Sequence, residues 1–223
     1  MSQWKKYLAE LLGTFMFVFV GAGSIMAYET MGAPDTLGVA IAHGLALMVA
    51  IVAFGSISGA HINPAVTLTL WVAKKVRGID IPGYILSQLV GAALASLLLN
   101  VMFTDALTAS MGVPELAPGV SALTGTITEA ILTFLLVWTI FAVAVDPDSK
   151  HKEHAGSIIG GVLAGSIMVG GVLTGAALNP ARWFGPALVN MNWSNWYVYL
   201  VGPMVGALLA GIAYTAIYMR NSK

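Results

Sequence analysis

The sequence contains no cysteine and little charge. Without cysteine there can be no disulfide, no thiolate metal site and no thiol nucleophile, and the redox compartment leaves no trace. Only 9% of the 223 residues are charged, against about a quarter in an ordinary soluble domain. The formal net charge is zero and the isoelectric point is near 6.9, which leaves neither a basic patch for nucleic acid nor an acidic tail. Four histidines are the remaining soft ligands: His43, His61, His151 and His154. The last two stand among Lys150, Lys152 and Glu153 in a polar stretch that reads as a solvated connector, so neither a metal nor a cofactor is expected. No catalytic-triad spacing and no phosphate loop occurs, which argues against an enzyme.

What the chain does have is apolar length. Hydrophobic residues make up 58% of it, and windows of about 19 residues give six candidate spans at roughly 7–27, 37–55, 82–103, 123–145, 156–173 and 196–219. The first resembles a secretory signal, two lysines ahead of an apolar run. It is nevertheless long enough to cross a bilayer core, which takes about 20 residues, and it is read as a retained span. Two more apolar stretches, at 64–72 and 180–190, are only about half that length and cannot cross alone.

Basic residues then set orientation. Lys5, Lys6, Lys74, Lys75, Arg77, Lys150, Lys152, Arg220 and Lys223 fall on one side of a six-span fold, which the positive-inside rule makes cytoplasmic along with both termini. The opposite connectors hold Glu29, Asp35, Asp105 and Glu115 and no cation; Arg182 alone lies elsewhere, in the second half-length segment.

The two halves repeat one another. "AELLGTFMFVF" at 9–19 answers "TEAILTFLLVW" at 128–138, "SGAHINPAV" at 58–66 answers "TGAALNPAR" at 174–182, and "QLVGAALA" at 88–95 answers "PMVGALLAG" at 203–211. The offsets are 119, 116 and 115 residues, so the register holds along the chain. One channel domain over 1–223 is expected, with repeats of about 7–103 and 123–219. Each unit has three spans and one half-length segment; an odd number of spans makes the second unit enter from the opposite side.

Each half-length segment opens on Asn-Pro-Ala: Asn63, Pro64 and Ala65, then Asn179, Pro180 and Ala181. Irregular backbone at membrane depth survives only when buried in protein or lining a watery cavity. Asn can cap free backbone N–H groups and Pro suits the first helical position, so each Asn is expected to start a short helix near mid-membrane. Pro64 to Lys74 is about eleven residues, roughly 16 Å of helix, enough to return to the basic face. Two such N-termini meeting would focus positive potential in the pathway and repel cations and excess protons. With its oxygen used as a cap, each Asn amide is expected to keep its NH₂ free for the lumen. Arg182, the third residue of the second half-helix, is about 4.5 Å outward from its start and is read as lumen-facing, since a cation there is costly in lipid.

These motifs, with "AELLGTF", "SGAHINPAVT" and the sequence around Phe184-Gly185-Pro186, resemble the aquaporins of the major intrinsic protein family. The resemblance runs from residue 7 to about 219. It implies an all-α membrane fold of six transmembrane helices plus two re-entrant half-helices, a homotetramer in the lipid bilayer with one pore per subunit, and a plasma-membrane location. By the same resemblance, the outer selectivity filter would be His43, Ile167, Ala176 and Arg182, a set similar to that of tonoplast-type aquaporins. His61 would line the cytoplasmic pore, and Glu10 and Glu129 would brace the re-entrant loops. His43 and Arg182 are expected to offer hydrogen-bond donors from facing walls while Ile167 and Ala176 leave room. The expected function is a passive channel for water, with ammonia, urea, peroxide or glycerol as further neutral solutes, and exclusion of protons and ions. Trp183 after the arginine fits neither the usual water-channel nor the glycerol-channel pattern, and the pair Tyr199-Leu200 is mixed, its aromatic first residue resembling water channels and its Leu resembling glycerol channels. A glycerol or small-solute facilitator is the alternative. An ion-coupled transporter, which also uses broken helices and repeats, fits less well because it would be expected to place acids in the lumen and the sequence offers only Glu10 and Glu129 for that, both off the Asn-Pro-Ala loops. An adhesion or structural role is disfavoured by the intact Asn pair and Arg182.

Overall fold

A computed structural model describes residues 2–103 and 110–219. Asp105, Arg220 and Lys223 lie outside the described residues. Among those described, the chain is all helical, with α1 (Gln3–Thr30), α2 (Thr36–Ser58), the short α3 (Pro64–Val72), α4 (Ile81–Met102), α5 (Ala122–Ile140), α6 (Ala155–Thr174), the short α7 (Pro180–Val189) and α8 (Trp196–Tyr214). Six are long and apolar enough to cross a membrane. Each buries well under half of its apolar window and turns the rest outward, the pattern of helices solvated by lipid. α5 and α8 each end in a π-helical turn, Phe141–Val145 and Thr215–Met219.

α2 and α6 meet at the centre through glycine. A Cβ on Gly44 would lie 2.6 Å from the Gly160 carbonyl oxygen, and one on Gly160 would lie 2.4 Å from that of Gly44. These residues are 116 apart and each is the other's partner, so a local two-fold axis passes between them. The same economy recurs at the flanks. A Cβ on Gly91 of α4 would sit 2.3 Å from the Leu11 oxygen of α1, and one on Gly206 of α8 would sit 1.9 Å from the Ala130 oxygen of α5. Where no hydrophobic effect drives helices together, small residues let backbones approach closely and gain dispersion contacts.

The half-helices cross between units. α3 packs against α8 as well as α4, and α7 packs against α4 and α1. Gly211 of α8 has Thr69 of α3 so close that a Cβ would lie 2.2 Å from its methyl group, and Gly185 of α7 has the Ala92 oxygen of α4 at 2.5 Å from such a Cβ. Each short helix is therefore walled by spans of the other half.

Candidate functional site

The backbone leading into each half-helix follows one pattern twice. α2 and α6 end on left-handed glycines, Gly59 (φ 92°) and Gly175 (φ 75°). Ala60 (φ 47°) and Ile62 (φ 57°) are left-handed in the first loop, as are Ala176 (φ 46°) and Leu178 (φ 51°) in the second. A left-handed conformation costs a non-glycine residue roughly 1–2 kcal/mol, more for β-branched Ile62. Such strain persists only where the surroundings over-determine it.

Two fully buried carboxylates hold these loops. Glu10 of α1 accepts from the Ser58 hydroxyl (2.7 Å) and the His61 N–H (2.9 Å) on one oxygen. The other accepts from the Ile62 N–H (2.7 Å) and the Gln88 amide (2.8 Å). Glu129 of α5 accepts from the Thr174 hydroxyl (2.7 Å), the Ala177 N–H (2.9 Å) and the Leu178 N–H (2.8 Å). Charge-assisted bonds of this kind are about twice as strong as neutral ones, and here they fall on the amides beside the left-handed residues. Tyr84 and Tyr199 add a matching pair, each hydroxyl donating to the last carbonyl of a span: Ser58 at 2.7 Å and Thr174 at 3.0 Å. Sequence reasoning passed over Tyr84 and gave Tyr199 no such role, although the two keep the 115-residue offset.

Asn63 caps α3 by accepting the Ala65 N–H at 2.9 Å; Asn179 caps α7, accepting from Ala181 (2.9 Å) and Arg182 (3.4 Å). Their amides are not wholly free. Asn63 Nδ2 donates to the Leu178 carbonyl and Asn179 Nδ2 donates to the Ile62 carbonyl, both at 2.9 Å. The reason lies in the left-handed Ile62 and Leu178, which turn their carbonyls toward the opposite loop. Each Asn thus has one N–H hydrogen in a crosswise clasp and one left over.

This clasp borders a cavity of about 540 Å³ lined by His61, Ile62, Asn63, Leu178 and Asn179 and, at its other end, by Lys6, Lys75 and Arg77. Arg77 pairs with Asp80 at 2.9 Å; hydrogen bonding to that carboxylate and its charge raise the guanidinium pKa further above its usual value. His61 lies against the Tyr84 ring with centroids 4.7 Å apart. Thr67 donates to the Asn63 carbonyl at 3.1 Å, so its oxygen accepts from both Gln88 Nε2 (2.9 Å) and His61 Nδ1 (3.1 Å). A neutral His61 therefore carries its proton on Nδ1 and keeps Nε2 as an acceptor. Gln88, also missed, was visible as an amide in the middle of a span.

On the other side of the clasp, His43, Ile167, Ala176 and Arg182 are all buried, and His43 is within electrostatic reach of Arg182. His43 Nδ1 meets the Val39 carbonyl at 2.9 Å. A carbonyl only accepts, so neutral His43 has its proton on Nδ1 and offers Nε2 as an acceptor. The expectation of donors on both walls is corrected here: Arg182 donates and neutral His43 accepts. Arg182 Nη1 donates to the Gly112 carbonyl at 2.8 Å. His43 Nε2 and Arg182 Nε and Nη2 have no partner among the described residues, although all three are buried. Buried polar atoms are ordinarily paired, so these three mark where a polar guest belongs.

The two departures noted in the sequence lie away from this point. Trp183 stacks on Tyr199 at 12° with centroids 5.9 Å apart and packs with Val113 and Val198. Leu200 is on the exposed side of α8. His151 and His154 are exposed on the connector before α6, where His154 approaches Glu153 at 3.6 Å.

Comparison with known proteins bears on this geometry. The family model described as Major intrinsic protein matches residues 1–214. Aquaporin TIP2-1 of Arabidopsis thaliana is 37% identical, over 98% of this chain and 89% of its own length. Aquaporin AqpM of Methanothermobacter thermautotrophicus is 39% identical, over 94% of this chain and 96% of its own. The X-ray structure of the aquaglyceroporin from Plasmodium falciparum superposes with a TM-score of 0.89 at 26% identity, covering 97% of each chain.

Proposed function

The chain belongs to the major intrinsic protein family, and on that premise we propose that it is a passive transmembrane channel for water and small neutral solutes. The observation that carries this reading is the crosswise clasp. It sets the N-termini of α3 and α7 and the two leftover Asn N–H groups beside one cavity. Water passing there accepts at its oxygen from Asn63 and Asn179, so its hydrogens turn away from the clasp and a continuous donor chain for proton hopping is interrupted. Helix N-termini carry positive partial charge, and two of them add an electrostatic barrier to cations.

In this reading Asn63, Pro64, Ala65, Asn179, Pro180 and Ala181 form the central station. His43, Ile167, Ala176 and Arg182 form the outer selectivity filter, and His61 lines the cytoplasmic half. Glu10 and Glu129 brace the loops. The filter presents donors from Arg182 and an acceptor from neutral His43 across apolar Ile167 and small Ala176. That combination suits guests that both donate and accept, and it supports passage of ammonia, urea or peroxide beside water. The relatives named TIP2-1 and AqpM are called aquaporins, which favours water over glycerol as the main solute.

The wider assembly follows the same reading: one channel domain over 1–223, repeats of about 7–103 and 123–219, a homotetramer, and a plasma-membrane location. Both chain ends lie on the basic, cytoplasmic face. The direct test is stopped-flow light scattering on proteoliposomes under an impermeant osmotic gradient, then under urea, ammonia and glycerol gradients. Volume change several-fold faster than in empty liposomes is expected for water; equal rates would overturn the channel reading.

A further inference from the structure

The direction of the Arg182 guanidinium is decided by an atom from outside the filter. Among the described residues its one protein partner is the Gly112 carbonyl, in the connector between α4 and α5. Met111 (φ 50°) and Gly112 (φ 70°) are both left-handed, so a tight turn aims that carbonyl. The turn is pressed against α1, where a Cβ on Gly112 would lie 2.9 Å from that of Ala22.

Ser110 is the node that fixes the turn. Its hydroxyl donates to the Glu29 carboxylate and accepts the Gly112 N–H at 3.1 Å. Its carbonyl accepts the Val113 N–H at 3.0 Å and the Asn190 side-chain amide at 3.3 Å. Glu29 is in the last turn of α1, and Asn190 directly follows α7, the helix that carries Arg182 near its start. The turn is thereby tied to α1 and to the far end of α7 at once.

We propose that Glu29 is a positioning residue for the Arg182 guanidinium, acting through Ser110 and Gly112, and so a determinant of which neutral solutes pass. The inference rests on the reading that Arg182 forms part of the outer filter. Glu29 itself meets no solute. An arginine side chain has large rotamer freedom to lose. With Nε and Nη2 left for guests, the single bond to Gly112 is what keeps the head group across the path. Losing the Glu29 bond loosens the turn, the carbonyl drifts, and the guanidinium swings away, which admits planar amides such as urea more readily.

The test is the ratio of urea to water permeability in proteoliposomes. This ratio belongs to each open channel and does not change with the amount of folded protein. Glu29→Ala and Ser110→Ala are each expected to raise the ratio about fivefold, the worth of one hydrogen bond. Glu29→Gln, whose amide oxygen still accepts from Ser110, is expected to keep the native ratio. Arg182→Ala is the reference and should raise the ratio at least as far. If Arg182→Ala raises it while Glu29→Ala and Ser110→Ala do not, the positioning role is overturned and the filter reading stands. If Arg182→Ala leaves it unchanged, the filter reading falls and the positioning role falls with it. Should Glu29→Ala fail to insert, Ser110→Ala and Glu29→Gln carry the comparison.

Discussion

Replacing Glu10 or Glu129 by glutamine keeps size and removes charge, yet it cannot be neutral. In each carboxylate both oxygens accept a backbone N–H, so whichever way the amide is turned, its NH₂ faces a donor. Each substitution is expected to cost about 1–3 kcal/mol, read as a lowered unfolding temperature in detergent. At the proposed filter, the native protein has no thiol and its water flux should resist mercury, whereas Ala176→Cys should become mercury-sensitive. His43→Phe removes the Nε2 acceptor and fills space, so urea flux should fall roughly tenfold while water flux continues. Asn63, Asn179, Arg182, His43, Glu10 and Glu129 were legible because a polar side chain inside an apolar run stands out in a sequence, whereas Ile167 and Ala176 came only from the resemblance and Tyr84 and Gln88 were missed. Their bonding was not legible. The Asn clasp depends on carbonyls about 115 residues away, and the His43 proton is placed by a carbonyl one helical turn back. Neither partner is distinguished by its own side chain.

Among the elements, the half-helices were readable to within a residue because Asn-Pro marks their start and their length cannot span. The long helices exceed their apolar windows at most ends, since Gln3–Thr30 and Ala155–Thr174 continue into polar or small residues that hydropathy does not count. The π-helical ends of α5 and α8 had no sequence mark; Tyr214, donating to Asp146 at 2.9 Å, joins the two regions. Helix contacts make a sharp contrast among glycines. Gly206→Ala would drive a methyl into the Ala130 carbonyl and should destabilise strongly, by about 2–5 kcal/mol or through failure to assemble. Gly55→Ala, with nothing near its Cβ position, should be neutral or stabilise by up to about 1 kcal/mol. Thermal melts of the two variants, purified side by side, check the difference.

For the molecule as a whole, six spans return the chain to the side on which it began, so tags placed before α1 and after α8 should both be protected or both be cleaved when protease reaches one face of sealed vesicles. One tag cut and the other spared would contradict the topology. The exchange of half-helices has a further consequence in time. A ribosome delivers α3 well before α8, which forms much of its wall. Asn63 donates to a carbonyl in a loop that is made later still than α6. Until the second unit has been inserted with opposite polarity, the first holds a bent, polar loop in the bilayer with only Glu10, Gln88 and their neighbours to satisfy it. Biogenesis of this protein therefore has a vulnerable interval, bounded by synthesis of α3 and of α8, during which the insertion machinery rather than the protein must keep lipid away from Asn63.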